Sequence, residues 1–241
     1  IIEFFDIINE LRPDTISGYF SENFDWPFIE TRCRILGVEM KDVAIALDPT
    51  RKLRRGDATL KLGQETEHYL QTYLYGYQII DIAHAVKRAM SINSNIKKAG
   101  LKYITKFSEV AKENRVYVPG SKIHETFKDP RPYWFNDKDG TWGLRYLLDD
   151  LWETEEVDKI YNQASFLIGK LLPTTYMRSS TMGTATQWKL IMAAWSYEQG
   201  IAIPANEKKR TFTGGLARLL EVGYAKDVYK LDFAALYPKI Q

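Results

Sequence analysis

The 241-residue chain has a single cysteine, Cys33, and only three histidines, His68, His84 and His124, which stand far apart. One thiol excludes a disulfide framework and any thiolate-bound metal cluster, and histidines so dispersed make no zinc motif. Within Ile29–Leu36, Cys33 reads as a small residue on a helix face. No stretch approaches the roughly 18 consecutive apolar residues that mark a membrane-spanning helix. Ile1–Leu11 lacks the basic start, apolar run and small-residue exit of a signal peptide. An excess of one charge is missing too. Lys and Arg number 33 against 31 Asp and Glu, so whole-chain charge does not announce a nucleic-acid partner. Repeats and low-complexity tracts are absent. With 45% hydrophobic and 27% charged residues, the composition is that of a folded globular chain.

Basic residues do gather locally, at Arg51–Arg55, Lys97–Lys98 and Lys208–Arg210. Such runs are more often solvated turns or helix faces than DNA contacts. The chain opens on Ile1 and closes on Asp232–Gln241, a strand-like stretch without polar tapering, so both ends read as cut.

Apolar residues at 1, 2, 4, 5, 7, 8 and 11 make a helical stripe that Pro13 halts. Thr15–Phe20 reads as a short strand, and Asp25 with Pro27 as the start of a helix over Phe28–Leu36. A helix–strand–helix opening predicts an α/β layer arrangement. Residues 43–48 and 68–75 look extended, joined by a basic, glycine-containing connection over Arg51–Gly63. Tyr77–Met90 has helical character, with Lys87 and Arg88 at the end the helix dipole favours. Residues 112–141, rich in Pro, Gly, Asp and Lys, read as a long surface loop of the kind that is often functional. Helical spacing returns from Gly143 to about Leu172 and over Thr186–Gln199. Ile203–Arg210 is a polar linker, and Val228–Ile240 a strand entering a turn.

Three segments hold candidate chemistry. In Gly18–Pro27, Asp25 stands at the mouth of a helix after a strand end. It reads first as a helix cap, but the carboxyl ends of strands are also where α/β sheets hold metals. In Tyr146–Asp150 a phenol and a carboxylate are four apart, on nearly one face of a helix. A carboxylate there can bind a divalent ion while the phenol holds a water. Against that, Asp149, Asp150, Glu153, Glu155, Glu156 and Asp158 form an acidic run, the usual mark of a solvated face. In Asp232–Ile240 a lone acid begins an apolar strand, which is costly unless it is paired or metal-bound.

Taken in order, these segments resemble family-B DNA polymerases. Asp232–Ile240 is similar to that family's first polymerase motif, Asp-x-x-Ser-Leu-Tyr-Pro-Ser. Phe212-Thr213-Gly214-Gly215 resembles the aromatic-x-Gly-Gly element before it, which contacts the template strand. Asn23-Phe24-Asp25 with its flanks resembles the second exonuclease motif, and Tyr146-x-x-x-Asp150 the third. Arg178–Thr181 and the Trp188–Gln199 helix resemble the segment joining the exonuclease domain to the palm. The matches span nearly the whole chain.

The resemblance implies an α/β fold: a ribonuclease H-like, DnaQ-type 3′–5′ exonuclease domain over residues 1–172, truncated at its N-terminus. Residues 173–241 would be connecting helices and the first strand of a polymerase palm. It also implies DNA polymerisation with proofreading by two divalent ions, Mg2+ or Mn2+. Asp25 and Asp150 would hold the exonuclease metals, with Tyr146 orienting the water. Asp232 would be a polymerase metal ligand, and Tyr237 the gate that rejects a ribose 2′-hydroxyl. Phe20, Asn23, Phe24, Phe212, Gly214 and Gly215 would contact DNA. The implied partners are primer–template, a single-stranded 3′ end and, in the full-length parent, deoxynucleoside triphosphates; no membrane partner is implied. The setting would be the cytoplasm of a bacterium or phage-infected host, or a nucleus.

Several positions depart from the family. The first exonuclease motif, Asp-x-Glu, is expected upstream of Ile1, and the later polymerase motifs beyond Gln241. Phe20 stands where the family has a substrate-contacting Asn, and Ala235 and Lys239 where it has serines. The chain alone is therefore expected to be inactive. Two other readings stay open: a nuclease-fold module that binds single-stranded DNA without cutting it, and a stand-alone DnaQ-like exonuclease, against which Phe212–Gln241 argues.

Overall fold

Ile2–Leu11 forms helix α1, which buries Phe5 and Ile8 and ends at Arg12 in a left-handed conformation, one residue before Pro13. The computed structural model describes residues 1–44, 47–48, 50–63, 65–118, 142–205, 218, 222–224, 226–229 and 231. The chain divides into two units, Ile1–Ile203 and Pro204–Gln241, and every helix and strand described belongs to the first.

Strand β1, Thr15–Gly18, leads to helix α2, Asp25–Ile35, and a short helix α3, Met40–Val43. Strands β2, Arg54–Leu62, and β3, Glu65–Tyr73, make an antiparallel hairpin from Arg54↔Tyr73 to Leu62↔Glu65. Strand β4, Gln78–Asp81, returns to pair in parallel with β1, from Thr15↔Gln78 to Gly18↔Asp81. Helix α4, Ile82–Ile92, continues from it, followed by α5, Leu101–Phe107. The described helices then run α6, Trp142–Tyr161; α7, Gln163–Leu171; α8, Tyr176–Ser179; and α9, Thr184–Glu198. The α/β expectation holds, with two small two-stranded sheets among the described residues.

Two expectations need correcting. Arg51–Gly63 is not a connection: most of it is β2, whose Leu60 is fully buried while Arg54, Asp57, Thr59 and Lys61 face out. Several of its charged residues are exposed, although Arg55 is largely buried, and this polar composition hides the strand from a composition-based reading. Likewise Tyr77–Met90 is not all helix. Ile79 and Ile80 are buried in β4, and only after Asp81 does the chain turn helical. A short apolar run is compatible with either structure, and Gly76, at φ 103°, makes the turn that starts the strand. Residues 43–48 hold no strand among the described positions, and α5 had no sequence signal.

The helical stretch from Gly143 breaks at buried Asn162, whose side-chain amide donates to Asp158 at 2.7 Å. Gly169 lets α7 meet α8 closely, since a Cβ there would stand 3.1 Å from the Tyr176 Cα. Most of 112–141 and of Val228–Ile240 lies outside the described residues.

Two hydrophobic cores hold these elements in place. Phe5, Ile8, Trp26, Cys33 and Met40 pack with Leu74, Tyr77 and Ile79, tying α1–α3 to β4. Ile82, Val86, Ile104 and Val157 pack α4, α5 and α6 together. None of the described helices is long and apolar enough to cross a membrane.

Candidate functional site

Between these cores lies a cavity of about 840 Å³, of the size that holds a small ligand. Asp25 at the start of α2, and Tyr146, Asp150 and Thr154 on α6, line it. So do Lys98 and Lys102, beside and on α5. Asp25, Tyr146 and Asp150 thus meet at one cavity despite their distance in sequence.

Asp25 is the first residue of α2, and Phe24 holds the cap position without a side-chain cap bond. The capping role weighed for Asp25 is therefore not the one it has. No other described side chain bonds its carboxyl, and surrounding protein partly desolvates the group, raising its pKa above the ordinary aspartate value. Asp25 is nonetheless an exposed residue, so the shift carries little stability.

The turn that leads into α2 is held by two buried acids. Asp81, at the end of β4, accepts from the Phe20 N–H at 2.8 Å and the Ala83 N–H at 3.0 Å through Oδ1. Its Oδ2 accepts from the Glu22 N–H at 3.1 Å. Burial pushes Asp81 up to about 6, while these three donors and Lys87 pull the other way. Glu22 reaches across to β3, accepting from the Thr72 N–H at 2.9 and 3.0 Å, the Thr72 hydroxyl at 2.7 Å and the Gln71 amide at 3.0 Å. Burial raises its pKa too. Arg55 is not a solvated turn residue: its guanidinium donates to the Glu22 carbonyl at 2.7 Å and pairs with Glu30 at 3.4 Å.

On the other wall, cations do the work. Arg115, its side chain 1% exposed, pairs with Asp150 and places Nε 2.8 Å from Glu153, without hydrogen-bond alignment. Lys112 donates to Asp149 at 2.8 Å, and the Val116 N–H to its other oxygen at 2.9 Å. Burial would raise Asp149, but Lys112, Val116 and Arg115 outweigh it and hold its pKa below the usual aspartate range. Asp149 and Glu153 are fully buried, so the acidic run is only partly the solvated face expected of it. Lys102 donates to the Tyr146 hydroxyl at 2.7 Å.

The three residues matched to substrate contact sit around the α2 start rather than in the cavity lining. Phe20 is 45% exposed at φ 62°, with the Lys87 ammonium 5.9 Å from its ring. Asn23 is exposed, and Phe24 stacks on Phe28 at 6.2 Å. Asp232, Tyr237, Phe212, Gly214 and Gly215 lie outside the described residues. Sequence reasoning missed Glu22, Asp81, Lys102 and Arg115. Asp81 follows the mostly apolar run Tyr77–Ile80 in the sequence, so it carries the same signal as Asp232, one acid against an apolar stretch.

Asp25 and Asp150 are oxygen donors of the kind Mg2+ or Mn2+ accepts. Among the described residues, however, no group of three or more His, Cys, Asp or Glu side chains is arranged to hold a metal. The donor set fits such an ion in kind but not in number.

Known proteins supply the context. The family described as DNA polymerase family B, exonuclease domain, matches residues 1–104. Over those residues the chain is similar to the family-B polymerase exonuclease domain. Relatives extend the likeness along the chain. DNA polymerase 2 of Aeropyrum pernix is 22% identical over 100% of this chain, and DNA polymerase 1 of Pyrococcus abyssi 24% identical over 97%. The chain spans only 27% and 28% of those proteins. In fold, it is similar to the family B DNA polymerase from Pyrobaculum calidifontis, with a TM-score of 0.56 at 20% identity, over 87% of this chain and 24% of that one. The exonuclease-domain match covers Asp25, Glu22 and Asp81, and ends before α6.

Proposed function

We propose that the chain is part of a DNA-directed DNA polymerase that also proofreads, with the cavity between α2, α5 and α6 as its 3′–5′ exonuclease site. The observation that carries this reading is the meeting of Asp25, Tyr146 and Asp150 at one cavity. Asp25 and Asp150 would face divalent ions, Mg2+ or Mn2+, completed by carboxylates other than those described. Such ions, when bound, would stabilise the attacking and leaving oxygens of the phosphodiester. Tyr146 has a clear share in the work. Its oxygen accepts from Lys102, so its own O–H is left to orient a water in the cavity. Lys98 and Lys102 add positive charge suited to a DNA phosphate.

The exonuclease domain would be ribonuclease H-like and occupy residues 1–172, with 173–241 leading into the palm. There Asp232 would bind metal, Tyr237 would exclude ribonucleotides, and Phe212, Gly214 and Gly215 would contact template. Phe20, Asn23 and Phe24 would contact the single-stranded 3′ end. The curated relatives are polymerases, which favours this reading over a non-cutting DNA-binding module.

The test uses the full-length protein and a 5′-labelled single strand in Mg2+. Asp25→Ala should abolish 3′ trimming and leave primer extension intact. Trimming at the wild-type rate would defeat the assignment. The 241-residue chain alone should extend no primer.

A further inference from the structure

We infer that Asp81 is the positioning residue of this cavity: its carboxylate holds the Phe20–Glu22 turn and thereby sets where Asp25 faces. The inference rests on the exonuclease reading for its catalytic consequence, but its geometry stands alone. Asp81 is 3% exposed and lies opposite Gly18, the last residue of β1. From there one oxygen takes the Phe20 and Ala83 N–H groups and the other takes Glu22. A single carboxylate therefore caps α4 and fastens the chain leaving β1.

What it fastens leads directly to Asp25. Phe20 has a left-handed backbone at φ 62°, which a phenylalanine does not adopt without outside restraint. Within the turn, the Phe24 N–H bonds the Phe20 carbonyl at 3.1 Å and the Trp26 N–H the Ser21 carbonyl at 3.0 Å, so a shift at Phe20–Glu22 is passed to the start of α2. The Glu22 side chain fastens the same turn to β3 from the other side. Asp81 is not a metal-facing group. It is absent from the cavity lining, and both its oxygens are engaged by backbone donors.

The test compares Asp81→Ala, Asp81→Asn and Asp25→Ala in the full-length protein, by hydrogen exchange over residues 19–26 and by trimming kinetics. In Asp81→Ala, exchange there should quicken about tenfold or more. The kcat for trimming should fall about tenfold or more, as a misplaced group predicts, with primer extension unchanged. KM for single-stranded DNA should stay within about threefold. Asp81→Asn should fall between, because its amide oxygen can serve one side of the clamp while its NH2 opposes the other donor; it also decides the matter if the alanine variant does not fold. Unchanged exchange in either folded variant overturns the proposal, as does full rescue of trimming by raised Mn2+, which would mark a metal ligand. If Asp25→Ala trims normally while Asp81→Ala exchanges faster, the exonuclease reading fails and the clamp stands.

Discussion

The two walls of the cavity solve one problem differently. Each keeps buried carboxylates beside one that lines the cavity. On the β1–α2 wall, backbone and side-chain dipoles make the hydrogen bonds to Asp81 and Glu22, with the Arg55 guanidinium 3.7 Å from Glu22 as a secondary partner, and Asp25 is left without a partner among the described residues. On the α6 wall, Lys112 and Arg115 neutralise Asp149 and Glu153, and Arg115 also claims Asp150. Dipoles fix a chain without spending charge, whereas cations stabilise acids but compete with any other cation for them. Under the proposed exonuclease reading, Asp25 would be the carboxylate more ready for an incoming ion, and Asp150 the one that would have to exchange a partner.

The largest effect should come from Arg115. Replacing it with Met strands Glu153 without a counter-charge and should cost about 3–5 kcal/mol in chemical denaturation. Adding Glu153→Leu should recover most of that loss. If the single change is harmless, the cation-held wall is not held by cations.

Next is the acid response of the dipole wall. The rise of Asp81 from 3.8 to about 6 means the folded chain binds that proton more tightly than the unfolded chain. Its contribution to stability is therefore present below about pH 3.8 and lost as pH rises through about 6, on the order of 3 kcal/mol in all. Glu22, Tyr19, Tyr69 and Lys87 are the charged and titratable groups around it. The Asp81 carboxyl carbon should titrate by NMR near pH 6, with the Phe20, Glu22 and Ala83 amides moving in step. In Asp81→Asn the pH dependence should vanish.

Neutral substitutions sharpen the contrast further. Asp149→Asn weakens two charge-assisted bonds and should cost about 1.5–3 kcal/mol. Glu22→Gln keeps an acceptor for Thr72, and Arg55 retains the Glu22 carbonyl and Glu30 as partners, so its cost should stay below about 1 kcal/mol at neutral pH. Equal losses in thermal melts would erase the distinction. The smallest effect on stability belongs to Lys102→Met, at most about 1 kcal/mol for one part-buried bond. Its mark should be on trimming, through a Tyr146 hydroxyl no longer held in place.

The sequence made parts of this arrangement legible. Proline and a clear apolar stripe marked α1, and Tyr146 and Asp150 were read onto one helix because a four-residue step is a local rule. Asp25 stood out only beside its neighbours in a motif. Arg115 was invisible for a different reason: its partner Glu153 is set by tertiary packing that no local period records, and the same holds for the Phe20 partner of Asp81, though not for Asp81 itself. Arg54–Leu62 was misread because a strand with one wet face has the composition of a loop. Asp232 and Tyr237, read from motif alone, lie outside the described residues.

The order of assembly follows from the separations these bonds span. Phe20 meets Asp81 across 61 residues, and Tyr146 meets Lys102 across 44. The β2–β3 hairpin, by contrast, closes through a tight turn at Gly63. Hairpins form in about 1–10 μs, while contacts this distant must first overcome the entropy of closing long loops. During refolding the hairpin is therefore expected to close early and the cavity late, once β4 has found β1 and α6 has docked on α5; pulse-labelled hydrogen exchange would show the order. A chain interrupted before α6 would keep the residues of the hairpin and lack one wall of the cavity.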